Sequence, residues 1–531
     1  MSFVSLKYLI FLIVCVFLYY VIPQKTRWIV LLTASVTFYC IFSKWLIVFL
    51  LLTTLIIYLC GLKVQALNDL FQQEKTSLER AERKVLKETY RKKKMRFVAL
   101  AVVLNLGILV ALKYVNFLGD TVDGIFALFG SKDLIPTVPL LLPLGISYYT
   151  LMAISYSVDV YRGQNMADRN FFRLFLFLIF FPQIVEGPFG RYNKLADNLY
   201  NGNQLNFNNL KSAAMLILWG FIKKMVMADR CAIIVNEIFD NYTSYGGITV
   251  IMGVVLYVFQ IYMDFSGCID IVRGSAGMFG VTLEENFKRP FFSKNIDEFW
   301  RRWHITLGAF FRDYIFYPVS MSKGFERISS FSKKHFGKNL ARVLPLAFAL
   351  FFVWLSNGLW HGASIKYVIY GLYYYVIMIV AQLFKPASVK TLSILHIKED
   401  SKWYSCFQIL RTDLLVCIGM LIFRADSLRI AASMFQSIFT SFAISGAAIT
   451  TPIYAAGAVG KDLLVILASI VFMFFVGVYQ ERHSATTIRA VLDTKPFVWR
   501  WIAIYIGVMI VLIFGVYGPG YNSIESVYAQ F

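Results

Sequence analysis

From Val343 to Trp360 the chain passes through eighteen residues without a single charge, and stretches of this kind recur along it. A helix needs about 17–25 predominantly apolar residues to cross a bilayer. Comparable runs occupy Leu6–Ile22, Trp28–Phe42, Trp45–Leu62, Phe97–Val115, Ala213–Met227, Ile248–Phe265, Ile365–Leu383, Phe407–Phe423, Leu463–Tyr479 and Trp501–Tyr517. Long uninterrupted runs point to helices, since a membrane barrel would show short strands of alternating polarity. The expected class is an all-α polytopic membrane protein. Composition agrees: 58% of the 531 residues are hydrophobic and 16% are charged, against about 25% charged in a soluble domain.

The formal net charge of +21 would suggest nucleic-acid binding in a soluble protein. Here the basic residues cluster in loops between apolar runs, as cytoplasmic topology and anionic lipid require. No nucleic-acid partner is expected; membrane lipid is. The polar stretch Lys63–Arg96 fits an amphipathic helix ending in Arg91-Lys-Lys-Lys-Met-Arg96, and Lys323–Arg342 forms a second basic loop. Both read as cytoplasmic. Leu6–Ile22 lacks a small-residue cleavage pattern after it and reads as an uncleaved span. The seven cysteines are scattered without paired or metal-ligand spacing, so neither a disulfide framework nor a metal site is expected.

Chemistry-bearing residues collect in the middle. Two of the five histidines, His304 and His361, each follow a tryptophan, Trp303 and Trp360. His304 lies in a segment dense with charge, including Asp297, Glu298, Arg301, Arg302, Arg312 and Asp313; His361 ends the uncharged run that contains Asn357. Ionisable side chains at membrane depth are costly and mark functional sites, and histidine is the group best suited to moving a proton near neutral pH. Elsewhere, Pro143 and Gly145 predict a broken helix before a hydroxyl-rich run that includes Tyr149. Those hydroxyls either pack between helices or line a polar cavity. Glu186, ahead of Gly187-Pro188, predicts non-helical backbone near membrane depth. Asp264, before Ser266 and Gly267, reads as lining a re-entrant turn or capping the next helix. An ion pair between Asp270 and Arg273 fits their spacing, and snorkelling accounts for Lys223 and Lys224.

These residues resemble a known family, the membrane-bound O-acyltransferases of the bacterial alginate O-acetylation type. The resemblance runs through Leu142–Arg162, Phe181–Tyr192, Gln260–Gly280, Asn286–Pro318, Asn357–Ala363 and Phe423–Phe435, with Tyr528–Phe531 as an aromatic tail. Its most specific elements are Asp297-Glu-Phe-Trp-Arg-Arg-Trp-His304 with Arg312-Asp-Tyr314, and Gly358-Leu-Trp-His-Gly-Ala363. Cys268-Ile269 and Glu186 depart from the usual pattern. The resemblance implies a bundle of about 11–13 transmembrane helices, with re-entrant and interfacial helices around a central catalytic tunnel. It implies one integral membrane domain over residues 1–531, with a cytoplasmic basic loop at 63–96, a catalytic core at 142–435 and C-terminal helices at 460–531.

It further implies His361 as catalytic base and His304 as a second functional histidine. Trp303 and Trp360 would wall the tunnel, and Arg301, Arg302 and Arg312 would hold donor phosphates, which guanidinium groups match bidentately. Asn357, Asp313, Asp264 and Tyr149 complete the expected substrate-binding set. The expected setting is the bacterial cell membrane. The donor would be acetyl-CoA as a substrate, without a resident cofactor, and the acceptor a polysaccharide served by an extracytoplasmic acetyltransferase- or esterase-like partner. Two alternatives stand beside this: a teichoic-acid type transferase fed by an acyl carrier protein, and a transporter of acyl groups or glycans.

Overall fold

The computed structural model describes residues 2–517 apart from 128, 131–134, 140, 443, 459, 484 and 485. The tail Tyr528–Phe531 lies outside the described residues. Among those described, the regular structure is helical, and the one strand-like feature is an isolated antiparallel bridge between Phe287 and Trp303. Eight helical segments are long and apolar enough to cross a membrane: Gln24–Ser77, Arg80–Ala127, Gly247–Met278, Lys338–His361, Ile365–Ile394, Lys402–Arg424, Gly460–Arg482 and Phe497–Phe514. Gln24–Ser77 itself holds two helices, Arg27–Ser43 and Ile47–Glu74, and Leu6–Val21 is a shorter apolar helix before it. The structure is that of an all-α polytopic membrane protein.

Packing divides the chain into two units, Met1–Ala214 with Val272–Glu284, and Met215–Ile271 with Glu285–Phe531. In the first, Ile47–Glu74 lies along Arg80–Leu109, and both pack on Ile146–Arg162. The polar stretch expected as one amphipathic helix is therefore a hairpin between two long helices. Its break falls at Lys75–Glu79, because Glu79 and Glu82 cap the second helix reciprocally and fix its start at Arg80. The expected break at Pro143–Gly145 is present: Gly145 takes φ +68° and caps Ile146–Arg162. A Cβ there would lie 2.3 Å from the Ile184 carbonyl oxygen, so the position needs glycine for both conformation and space. Ile184 belongs to the irregular segment 180–190, in which Glu186 is buried. That is the non-helical backbone expected around Glu186.

The Gly247–Met278 helix, which belongs to the second unit as far as Ile271, runs without interruption through Asp264, Ser266 and Gly267. The re-entrant turn or cap expected there does not form. Lys223 and Lys224 carry the reason. They sit in a π-helical turn, Ile222–Ala228, and are 5% and 2% exposed, so they do not snorkel. Lys224 Nζ lies 2.6 Å from Asp264 and 2.8 Å from Asp229. Lys223 Nζ lies 2.7 Å from Asp270 and donates to Ser266 Oγ at 3.0 Å. With its acids met by lysines from a neighbouring turn, the long helix can carry them inside the protein. Asp270 thus meets a lysine from outside its own helix.

Candidate active site

His361 is the last residue of the Lys338–His361 helix, and only Gly362, Ala363 and Ser364 separate it from Ile365–Ile394. The two helices form a hairpin whose backbones nearly touch. A Cβ on Gly358 would come 2.4 Å from the Tyr367 carbonyl oxygen, and one on Gly371 would come 2.3 Å from that of Trp354. Small residues permit this approach, and it brings Tyr370 onto the imidazole of His361, with ring centroids 5.7 Å apart. Phe423, at the end of Lys402–Arg424, meets the same imidazole at 5.2 Å. Lys366 ties that helix end in place by donating to the Ala425 carbonyl at 2.8 Å. His361 is 2% exposed.

His304 is held by other means. It sits between two seven-residue helices, Ile296–Arg302 and Ile305–Phe311, at φ +48° and ψ +51°. This left-handed conformation costs a non-glycine residue roughly 1–2 kcal/mol, and it persists where the surroundings over-determine it. They do so on both sides. Lys288 N–H donates to the Arg302 carbonyl at 2.9 Å and Ile305 N–H to the Asn286 carbonyl at 3.0 Å. The Ile296–Arg302 helix is fixed to the hairpin through Trp300, which meets Trp354 at 5.1 Å and Tyr374 at 4.9 Å.

Trp360 joins the two sites. Its ring centroid lies 5.5 Å from that of His304 and 4.9 Å from that of His361. The imidazoles thus share one indole, with Phe265 closing on His304 at 4.9 Å. His304 lies outside the eight spanning segments. Burial, together with the nearby His361, holds its imidazole well below the usual histidine range, so it is neutral at physiological pH. Two buried imidazoles walled by aromatic rings can accept and donate protons where little water competes.

The other expected residues sort by place. Asn357 lies one turn before His361, 5% exposed, and its Oδ1 meets no partner among the described residues. Trp303 packs between Phe287 at 5.0 Å and Phe299 at 5.6 Å, beneath the His304 backbone. Arg302 is engaged by Glu298 at 2.7 Å and Glu481 at 3.0 Å. Arg301 pairs with Asp297, and Arg312 with Asp313 at 2.8 Å; both guanidinium groups remain more than half exposed. Asp264 is paired with Lys224, one residue from the Phe265 that meets His304. Tyr149 is buried in the first unit, whereas both histidines belong to the second.

Tyr370, Phe423 and Phe265 are neighbours of this chemistry to which the sequence assigned no role. The repeat of tyrosines Tyr367, Tyr370 and Tyr374 at helical spacing was the available signal for the first.

A model of the membrane-bound O-acyltransferase family matches residues 89–392, more than half of the chain. The chain belongs to that family. It is therefore an acyltransferase, and the transporter reading falls away. The resemblance drawn from the two tryptophan–histidine pairs holds. A protein of Pseudomonas syringae pv. tomato described as a probable alginate O-acetylase AlgI is 33% identical over 80% of this chain and 72% of its own length. A peptidoglycan O-acetyltransferase of Helicobacter pylori is 30% identical over 56% of this chain and 57% of its own. A teichoic acid D-alanyltransferase of Bacillus subtilis is 30% identical over 53% of this chain and 68% of its own. The chain is similar to all three, and of these three the alginate-type protein matches the largest share of it.

Proposed function

We propose that this membrane-bound O-acyltransferase moves acetyl groups from a cytosolic thioester, acetyl-CoA, for O-acetylation of an extracytoplasmic polysaccharide, with His361 as catalytic base. The observation that carries the proposal is the pair of buried imidazoles on one indole, in a chain that matches a probable alginate O-acetylase over 80% of its length. His361 takes the proton of the acceptor hydroxyl as its oxygen attacks the thioester carbonyl. The tetrahedral oxyanion collapses, the carbon–sulfur bond breaks, and the proton passes from His361 to the departing thiolate. A positioned base of this kind contributes about 10²–10⁴-fold. His304 orients the thioester or donates to the developing oxyanion through the N–H of its neutral ring. Trp360 and its aromatic neighbours exclude water that would hydrolyse the thioester.

Asn357 offers a buried amide to the substrate, and Arg301 and Arg312 meet the donor's phosphates. Arg302, held by two carboxylates, positions the His304 segment, with Trp303 beneath it. The working unit is one integral membrane domain with its core at 142–435, set in the bacterial cytoplasmic membrane. An extracytoplasmic esterase-like partner completes transfer to the polymer. The similarity to a teichoic acid D-alanyltransferase favours one rival, an acyl group delivered by a carrier protein.

The test is acetyl release from radiolabelled acetyl-CoA by the purified chain in nanodiscs, with wild type beside His361→Ala. Turnover in wild type, lowered at least 10²-fold in a folded His361→Ala, is the expected result. Equal turnover in both would refute the assignment of His361. No turnover in wild type would reject acetyl-CoA as the sufficient donor and favour the carrier-protein rival.

A further inference from the structure

We infer that Asn286 is the positioning residue of His304, acting on the imidazole through the first turn of the helix that follows it. The inference rests on the proposed role of the two histidines and extends it to a residue that touches neither ring. Asn286 is 1% exposed and precedes His304 by eighteen positions. It makes three contacts immediately after the histidine. Its carbonyl accepts from Ile305 N–H at 3.0 Å, and its Oδ1 accepts from Thr306 N–H at 3.1 Å and from Thr306 Oγ1 at 2.6 Å.

Those contacts fall where a helix leaves N–H groups without intrahelical partners. The residue capping Ile305–Phe311 is His304 itself, and its side chain makes no capping hydrogen bond. The cap function is therefore supplied from outside by Asn286. That frees the imidazole from the local task a polar N-cap side chain would perform. The amide orientation of Asn286 is fixed by chemistry, because an N–H can only be received by oxygen. Its Nδ2 meets no partner among the described residues.

On the other side, the Phe287–Trp303 bridge and the bond from Lys288 N–H to the Arg302 carbonyl close the clamp. The segment 286–288 thus grips residues 302–306 as a short ribbon, and His304 is the residue at which the ribbon turns into helix. A left-handed residue flanked by fixed neighbours has its Cα–Cβ direction fixed. Without the Asn286 side chain Thr306 is released and the backbone carbonyl alone holds Ile305, so the backbone at His304 can relax and its Cβ swing away from Trp360.

The test uses the full chain in nanodiscs with Asn286→Ala, Asn286→Asp, His304→Ala and the double variant Asn286→Ala/His304→Ala. Two quantities are measured: kcat and KM for acetyl transfer, and amide hydrogen exchange over 304–307. Asn286→Ala is expected to lower kcat about 10²-fold, the penalty of roughly 1 Å of misplacement, with KM within threefold of wild type. Exchange at Thr306, whose N–H loses the Oδ1 acceptor, should rise while distant helices stay protected. Asn286→Asp keeps the oxygen that receives Thr306 N–H and should recover most of the activity.

The double variant should be no slower than His304→Ala, because a positioning residue has nothing left to position. Unchanged kcat or unchanged exchange in Asn286→Ala would overturn the inference. So would a double variant slower than His304→Ala by the full single-variant factor, which marks a structural role independent of the histidine. If Asn286→Ala does not fold, Thr306→Val, which removes only the Oγ1 contact, is read by the same criteria, while Asn286→Asp should still keep most of the activity. An inactive wild type would count against the proposed donor, whereas loss of activity in His304→Ala beside a fully active Asn286→Ala would count against this inference alone.

Discussion

Replacing Gly371 by alanine is expected to damage catalysis without touching either histidine. The added Cβ would stand 2.3 Å from the Trp354 carbonyl oxygen and 3.2 Å from the Gly358 nitrogen. Both are backbone atoms of the facing helix, so no side chain can rotate away to make room. Ordinary contact begins near 3.4 Å, and the Ile365–Ile394 helix must therefore withdraw from Lys338–His361 by about 1 Å. Overpacking of this sort costs typically about 1–3 kcal/mol. Alanine returns up to about 1 kcal/mol through helix propensity, so the net change in stability is unfavourable but modest.

The effect on rate is larger. Tyr370, adjacent to Gly371, lies against His361, which ends the opposing helix. A displacement of about 1 Å at a reacting group costs on the order of 10²-fold, or about 2.7 kcal/mol of transition-state stabilisation. The assay is acetyl transfer by monodisperse protein in nanodiscs, with thermal unfolding measured in parallel. The expected result is a kcat lowered about 10²-fold with an intact, slightly less stable fold. A folded Gly371→Ala with kcat within twofold of wild type would refute the claim that the close helix approach sets the position of His361.

Three further outcomes follow from the same geometry. Gly107→Ala, within the Arg80–Leu109 helix and with nothing within 4 Å of the added Cβ, should leave kcat unchanged and stabilise by about 0.5–1 kcal/mol; a lowered thermal midpoint would contradict it. Lys224→Met leaves Asp229 and Asp264 buried without their shared cation, a change expected to cost about 3–5 kcal/mol and to lower the unfolding midpoint by several degrees; an unchanged midpoint would show that the cluster adds little to stability. Because His304 is held below the usual histidine range, it stays neutral as pH falls until that lowered value is crossed. The acidic limb it contributes to kcat/KM should thus centre below about 6.5, and a His304-dependent limb at 6.5 or above would contradict a buried neutral imidazole.

The helical membrane class was legible because uncharged length is a local property, readable from any window of the chain. The same holds for the break at Gly145, where proline and glycine act on their own backbone. What escaped were features that depend on a distant partner. Lys223 and Lys224 lie near the end of an apolar run, and snorkelling was the economical reading of that run alone. Their carboxylates come from Asp229, Asp264 and Asp270, and only packing discloses that the Gly247–Met278 helix delivers two of these three acids to the two lysines. Asp264 was misplaced for the converse reason. An acid beside serine and glycine looks like a helix end until its counter-charge is seen. Tyr370 and Phe423 carry no polar signal that separates a wall of the site from ordinary core, and their role is a matter of which ring they face.

The two histidines differ in what fixes them, and this has a mechanistic consequence. His361 is placed by the packing of whole helices, with Gly358 and Gly371 setting the spacing and Tyr370 and Phe423 flanking the ring. A helix end braced in this way moves only when the hairpin moves. His304 is placed by a ribbon of a few hydrogen bonds around a left-handed residue, and small rearrangements of residues 286–288 would redirect it. A group that must keep one position through proton abstraction and return is better served by the first arrangement, and a group that must meet a carbonyl oxygen as it becomes tetrahedral by the second. This difference is the reason for preferring, within the proposed function, His361 as base and His304 for orientation or oxyanion contact. It also predicts asymmetric losses: His361→Ala should lower kcat by the full contribution of a general base, about 10²–10⁴-fold, whereas His304→Gln, which retains a donor, should keep more activity than His304→Ala. Equal losses in His304→Gln and His304→Ala would show that His304 does more than donate a hydrogen bond, and the assignment of the base would have to be reopened.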